Sequence, residues 1–139
     1  MKLELITLDG VKVDNDVYEV IVPTAAGEIS IFPGHERIVT LAVNGAISIR
    51  RDKADPDEDM EHFATYGGIV EINPTRVRIL VDEADTADDI IEEEARVAYD
   101  RALTLRENVK DMAELEKAKA EIDRHAVRLK VAGLRRRKR

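Results

Sequence analysis

Three polar side chains in a row, His35, Glu36 and Arg37, follow a Pro33-Gly34 pair and sit between two apolar runs. An imidazole beside a carboxylate is the smallest set that transfers a proton or holds a metal. The other two histidines, His62 and His125, share no ligand spacing with His35. Exposed turn histidines seldom do chemistry, so the triplet reads as a contact tip. Asp55, Asp57 and Asp59 imitate the opening of a calcium loop, but the sixth position is Met60 rather than glycine and the twelfth is Tyr66 rather than glutamate. A solvated hairpin loop accounts for them. Gly67-Gly68 is followed by neither Lys-Ser/Thr nor a helix, so it marks a bulge or a close backbone approach, not a phosphate cradle. No nucleophile, base and acid can be assembled into one set, and an enzyme built on this chain would have to show itself by turnover of the lone protein.

The element that positions the triplet spans residues 27–41. It reads as a strand over 28–32, a turn at Pro33-Gly34, and a second strand from residue 37. Proline presets φ for the second turn position, and glycine accepts the positive φ that a type II turn requires next. Around it the first half reads as β: alternation about Leu3 and Leu5, a turn at Asp9-Gly10, resumption at 11–13, a Val/Ile-dense run over 17–22, and a small-residue turn at 24–27. Asn44-Gly45 gives a hairpin signal joining 38–43 to 46–50. After the charged loop 51–61 come strands at 62–65, 69–72 and 76–81, with a break at Tyr66-Gly67-Gly68 and a turn at Asn73-Pro74. Short strands punctuated by turn residues every ~8–12 positions indicate an antiparallel sandwich or barrel.

At Asp82 the period changes. Ile91, Ala95, Ala98, Ala102 and Leu105 recur at helical spacing, with Asp89 as expected cap and Asn108 as expected left-handed stop. Asp111 and Glu114 repeat the cap pattern. A second helix then shows Leu115, Ala118, Ile122, Ala126 and Leu129 on one face, with Gly133 as its expected end. The two helices form an antiparallel hairpin. Its seam is mostly alanine, and an alanine contributes far less on burial than the ~1.5–3 kcal/mol of leucine or isoleucine. Such a seam is expected to let the hairpin detach, although the same alanine face also serves simple helix–helix packing if it does not move.

Composition bounds the rest. The 139 residues are 44% hydrophobic, which supplies a core, and only 4% aromatic, which leaves few platforms for nucleic-acid bases. The absence of cysteine excludes disulfide and thiol chemistry. No apolar run approaches the ~20 residues of a membrane span, and the first residues lack a signal-peptide pattern. The net charge of −7 conceals an asymmetry. After Asp123 eight basic residues face no acid, and the preceding 123 residues set 29 acids against 14 bases, a balance of −15. An acidic body with a basic tail calls for an acidic partner. A nucleic-acid or membrane-surface adaptor acting through that tail is the rival reading, which the acidic body disfavours by repelling phosphate.

Three stretches resemble the epsilon subunit of F-type ATP synthase, the homologue of the mitochondrial delta subunit. Gly-Glu-Ile-Ser-Ile-Phe-Pro-Gly-His at 27–35 is similar to that family's Gly-Glu-(Ile/Leu)-Gly-Ile-x-Pro-Gly-His. Tyr-Gly-Gly-Ile-Val-Glu-Ile-Asn-Pro-Thr-Arg-Val at 66–77 is similar to its second motif, and Arg-Leu-Lys-Val-Ala-Gly-Leu at 128–134 to the end of its last helix. The resemblance implies a ten-stranded antiparallel β-sandwich over residues 1–84 and a regulatory helical hairpin with a basic tail over 85–139. It implies a non-catalytic rotor subunit of the central stalk. The sandwich would bind the gamma subunit and the ring of c subunits, and the hairpin would reach toward the alpha/beta catalytic hexamer and slow ATP hydrolysis. The complex would lie on the cytoplasmic face of a bacterial plasma membrane, with an organellar inner or thylakoid membrane as the alternative, and the chain would be peripheral to it.

By the same resemblance Glu28 and His35 fall at ring-facing positions, joined here by Glu36 and Arg37, which replace a commoner small residue and proline. Lys130 and Arg135, Arg136, Arg137, Lys138 and Arg139 would meet an acidic segment of the beta subunits. Some members bind regulatory ATP through Ile/Leu-Asp-x-x-Arg-Ala and later arginines. Ile90, Ala95, Arg101, Arg124 and Arg128 match, but Ile91 and Glu94 stand where the motif has Asp and Arg. A carboxylate beside a triphosphate is repulsive, so no cofactor is expected.

Overall fold

In the computed structural model the backbone is described for residues 1–138 and the side chains for residues 1–134. Eight strands are followed by two helices: β1 Lys2–Thr7, β2 Gly10–Asp16, β3 Glu19–Thr24, β4 Gly27–Ile31, β5 Ile38–Arg50, β6 Glu61–Asn73, β7 Arg76–Leu80, β8 Ala84–Thr86, α1 Glu92–Glu107 and α2 Met112–Lys138. The strands pair in the order β2-β1-β7-β6-β5-β3-β4, with β8 on the first part of β6.

β5 and β6 are each 13 residues long and belong to both layers of a sandwich. Their segments 38–42 and 68–73 lie with β1, β2 and β7, whereas 44–50 and 61–66 lie with β3, β4 and β8. Leu3, Leu5, Val70, Ile72, Val77 and Ile79 from the first layer and Val20, Val22, Ile31, Ile47, Ile49 and Phe63 from the second meet in one aliphatic core. Counting each long strand once gives eight where the expectation was ten. One pairing, β1 with β7, is parallel, where the first strand lies between β2 and a strand that enters the sheet much later.

The Asn44-Gly45 hairpin is not there. Both residues lie inside β5, opposite Tyr66 and Thr65, and neither has a positive φ. Gly45 is needed for space: a Cβ there would stand 2.9 Å from Cγ of Pro23. Tyr66-Gly67-Gly68 does not end a strand either, since β6 runs through it. Gly68 has φ +156°, and a Cβ on it would meet the Leu80 carbonyl oxygen at 2.5 Å, which is the close approach expected. The Pro33-Gly34 turn forms with Gly34 at φ +89°. The Gly34 N–H donates to the Pro74 carbonyl at 2.8 Å, tying the two turns together.

The helices differ from expectation at their ends. Asp89 closes a capping box with Thr86 over a short 3₁₀ turn, and Ile91 is the residue that precedes α1. Asn108 ends α1 at φ −109°, outside the left-handed region, with its amide donating to the Thr104 carbonyl. Asp111 and Glu114 start α2 as their spacing predicts, by accepting the Glu114 and Lys110 N–H groups. Gly133 does not stop α2, which continues to Lys138. A helix tolerates an isolated glycine at a cost of about 1 kcal/mol.

Candidate functional site

α2 carries two buried stripes. Ala118 is buried and Leu115, Ile122 and Leu129 half-buried, along the face expected to meet α1, where Ala95 and Ala102 are buried. Ala126, expected on that seam, is exposed. The second stripe, Val127, Val131 and Ala132, clusters with Ala46 of β5, Ala64 of β6 and Ile90. Ala46 and Ala64 are cross-strand partners on the outside of one layer. Two small side chains side by side make a shallow seat into which a helix can settle. Ile90 and Ala95, candidates for a nucleotide motif, are packing residues of the same cluster.

Beside this apolar seam lies a cluster of charge. Arg124 and Arg128 stand one helical turn apart and so share a face. Arg124 binds the Glu83 carboxylate, and its guanidinium carbon lies 4.5 Å from the centre of the Tyr66 ring. Arg128 donates to Asp85 at 2.5 Å, and the same carboxylate oxygen accepts from the Tyr66 hydroxyl at 3.5 Å. The hydrogen bond to Glu83 raises the Arg124 pKa and keeps it charged. Burial raises that of Tyr66, opposed by the nearby Arg128 and Arg124. Arg101 is exposed on α1 and Lys130 exposed on α2. The contacts expected of Arg135, Arg136, Arg137, Lys138 and Arg139 lie outside the described side chains.

The opposite layer is uncovered. In register across three strands, Leu41 faces Ile69 and Ile69 faces Leu80, so all three project outward together. Ile6 of β1 is opposite Leu80, and Val11 of β2 opposite Ile6. Val39, two residues before Leu41, points the same way. Val39 is 73% exposed and Leu41 67%. The next row is charged: Glu71 opposes Arg78, which opposes Glu4, itself paired with Arg76. A contiguous outward apolar row bordered by charge is the signature of a surface that another protein covers. The strand alternation at 38–43 carried that signal, because Val39, Leu41 and Val43 fall on the face opposite the buried Ala42, but no such surface was expected from the sequence.

The other candidates separate. Glu28 is exposed at the start of β4 beside Pro23, whereas His35 follows the turn beyond the far end of that strand. Glu36 and Arg37 are exposed next to His35, whose Nδ1 lies 2.8 Å from the Glu36 carbonyl oxygen. In the acidic loop Asp57 is turned to Arg50 and the Asp55 carboxylate accepts the Asp52 N–H. Among the described residues no group of three or more His, Asp or Glu side chains is placed to hold a metal ion. No described helix is long and apolar enough to cross a membrane.

Residues 1–87 match the family model of the ATP synthase delta/epsilon chain, beta-sandwich domain. The ATP synthase epsilon chain of Herpetosiphon aurantiacus is 34% identical over 139 residues, covering 98% of this chain and 96% of that protein. The epsilon chain of Bacillus velezensis is 32% identical over 133 residues, covering 96% and 97%. Among solved structures, a chain of the Euglena gracilis mitochondrial ATP synthase superposes with a TM-score of 0.82 at 20% identity, covering 95% of this chain and 80% of its own. A chain of the Tetrahymena thermophila mitochondrial ATP synthase central stalk and c ring gives 0.61 at 16%, covering 94% of each. At those identities the structures speak for the fold. With a sandwich carrying a docked helical hairpin and sequence relatives that span it end to end, the chain belongs to the ATP synthase delta/epsilon family.

Proposed function

We propose that this chain is a rotor subunit of the central stalk in an F-type ATP synthase, gripping the gamma subunit with the uncovered layer of its sandwich and carrying a detachable hairpin on the other. The observation that supports this most is the division of labour between the two faces. One layer seats α2 on Ala46 and Ala64. The other leaves Val39, Leu41 and Ile69 open to solvent. A lone domain has no use for such a row, and a partner of complementary shape would bury it.

The tip at His35, Glu36 and Arg37, with Glu28, is assigned to the c ring as contact and not as chemistry. Lys130 and the basic residues 135–139 are assigned to an acidic segment of the beta subunits, reached when the hairpin leaves the sandwich. The two packings of such a hairpin must lie within a few kcal/mol, which the small side chains of both α2 seams favour. Association with the cytoplasmic face of a bacterial membrane then runs through the complex.

Because the chain has no cysteine, Leu41→Cys provides a unique thiol for a photo-crosslinker. In the assembled complex the adduct is expected on gamma. An adduct on another subunit, or none, overturns the assignment. Hydrolysis by the complex with and without residues 86–139 tests the regulatory half: removal should raise the rate, and an unchanged rate contradicts it.

A further inference from the structure

Beyond its apolar seam α2 runs out along a groove. Leu134 is half-buried there, and the groove in front of it, about 600 Å³, is lined by Ile21, Ser48, Met60, Asp57 and Glu58. A smaller hollow on Leu134, also bordered by Met60, is closed by Thr86 and Asp88. The backbone of α2 continues past this point to Lys138, and the helix packs against the 3₁₀ turn Asp57–Asp59. Residues 135–139 are Arg-Arg-Arg-Lys-Arg. At a helical rise of 1.5 Å per residue, the four steps from Leu134 to Lys138 advance about 6 Å. The most basic stretch of the chain therefore begins beside the groove. The loop that walls it holds more acid than the body neutralises. Asp52, Asp55, Asp57, Glu58, Asp59 and Glu61 stand within ten residues. Arg50 takes Asp57, Arg51 takes Glu61, and the Asp55 carboxylate turns back to accept the Asp52 N–H. Glu58 and Asp59 are exposed and have no ion pair among the described residues.

We infer that this acidic loop, residues 52–61, is the docking site of the chain's own basic tail, residues 135–139, with Glu58 and Asp59 as its main anchors. Acidity alone would not single the loop out. What does is that Leu134, immediately before the tail, forms part of the same groove. Like charges on the successive residues Asp57, Glu58 and Asp59 repel one another, and cations brought alongside relieve that repulsion. Cations in the last turn of a helix are also favoured by its dipole. An exposed pair is worth little singly, so the contact depends on several charges meeting at once. Held in this way, the tail's charge is withdrawn from every other anion. The acidic beta segment assigned to it above would have to displace the loop. That consequence rests on the assignment to beta, whereas the docking of tail on loop does not.

The test uses the full chain at low salt. A zero-length carbodiimide should join Lys138 to Glu58 or Asp59, read by mass spectrometry of the digested product. Coupling of Lys138 to other carboxylates only, or to none, overturns the inference. A double-mutant cycle read by hydrogen exchange of amides 127–134 is the second measurement. Glu58→Gln with Asp59→Asn should speed that exchange about 2- to 5-fold, the range of a few exposed ion pairs. Arg135→Gln with Arg136→Gln and Arg137→Gln should do the same, and both effects should fade in about 1 M sodium chloride. The combined variant should exchange no faster than the faster of the two, because each set acts through the other. The amides of β5 and β6 should stay unchanged throughout. Effects that multiply in the combined variant, or no effect of removing the acids, overturn the inference. Both measurements use the chain alone, so their failure leaves the gamma and beta assignments standing, and failure of those assignments leaves the docking standing.

Discussion

Val131 has no exposed surface and sits in the seam between α2 and the sandwich, against Ala46 and Ala64. Val131→Ala removes two methylene equivalents, about 1.6 kcal/mol at roughly 0.8 kcal/mol each. The partly collapsed cavity adds to this, and a total near ~2 kcal/mol follows. If undocking leaves the sandwich intact, that energy appears entirely in the docking equilibrium, and the open fraction rises about 30-fold. Hydrogen exchange by mass spectrometry reads it directly, since the α2 peptides should exchange faster by that factor while those of β5 and β6 do not. Val97→Ala is the control, because Val97 is 48% exposed on α1 and surface changes usually stay within about 0.5 kcal/mol. The reasoning is refuted if Val131→Ala behaves like the control. It is refuted equally if α2 and the strands lose protection by the same factor, since the hairpin and sandwich would then open as one unit.

Gly68→Ala should destabilise the sandwich by ~2–4 kcal/mol in a denaturant titration, because the added Cβ meets Leu80 and Val81 at a φ few L residues adopt; a shift below about 1 kcal/mol contradicts the close approach. Tyr66 gives a pH dependence. Burial raises its pKa above that of free tyrosine, so its contribution is complete below about pH 10 and is lost as pH rises through the folded value. Alkaline titration followed by ultraviolet difference spectra should show this late ionisation together with loosening of α2, and Tyr66→Phe should abolish both. Glu36→Ala with Arg37→Ala should weaken binding to the c ring at low salt; unchanged binding removes the ring-facing assignment of that tip.

The sandwich and hairpin were legible because they rest on local chemistry. The turns at Gly10, Gly27 and Gly34 need positive φ, and all three have it. Asn44-Gly45 misled because glycine serves two purposes, and only the Pro23 ring across the strand reveals which. The resemblance implied ten strands, and eight are counted because β5 and β6 each pass whole from one layer to the other. On α2 the alanine face was visible as a repeat, but Val127 and Val131 fall on a second stripe whose partners, Ala46 and Ala64, are more than 60 residues earlier in the chain. The two ion pairs under α2 were half visible, since Arg124 and Arg128 matched later arginines of the nucleotide motif, yet the carboxylates they bind, Glu83 and Asp85, come from a segment that sequence spacing does not connect to them. The open apolar row was hidden in plain alternation, because which face of a strand lies outside is settled only when the other layer closes.

The most direct measurement is a calorimetric titration of the full chain with the gamma subunit of its own complex, set beside the variant Leu41→Glu with Leu80→Glu. Both positions are exposed, so the variant should keep its fold, shown by an unchanged melting temperature. Charges placed in the centre of an apolar contact cost ~2–4 kcal/mol, a loss of roughly 30- to 1,000-fold in affinity. The account predicts tight binding by the wild-type chain and its loss in the variant. A wild-type chain that does not bind gamma, or a variant that binds as well, contradicts it.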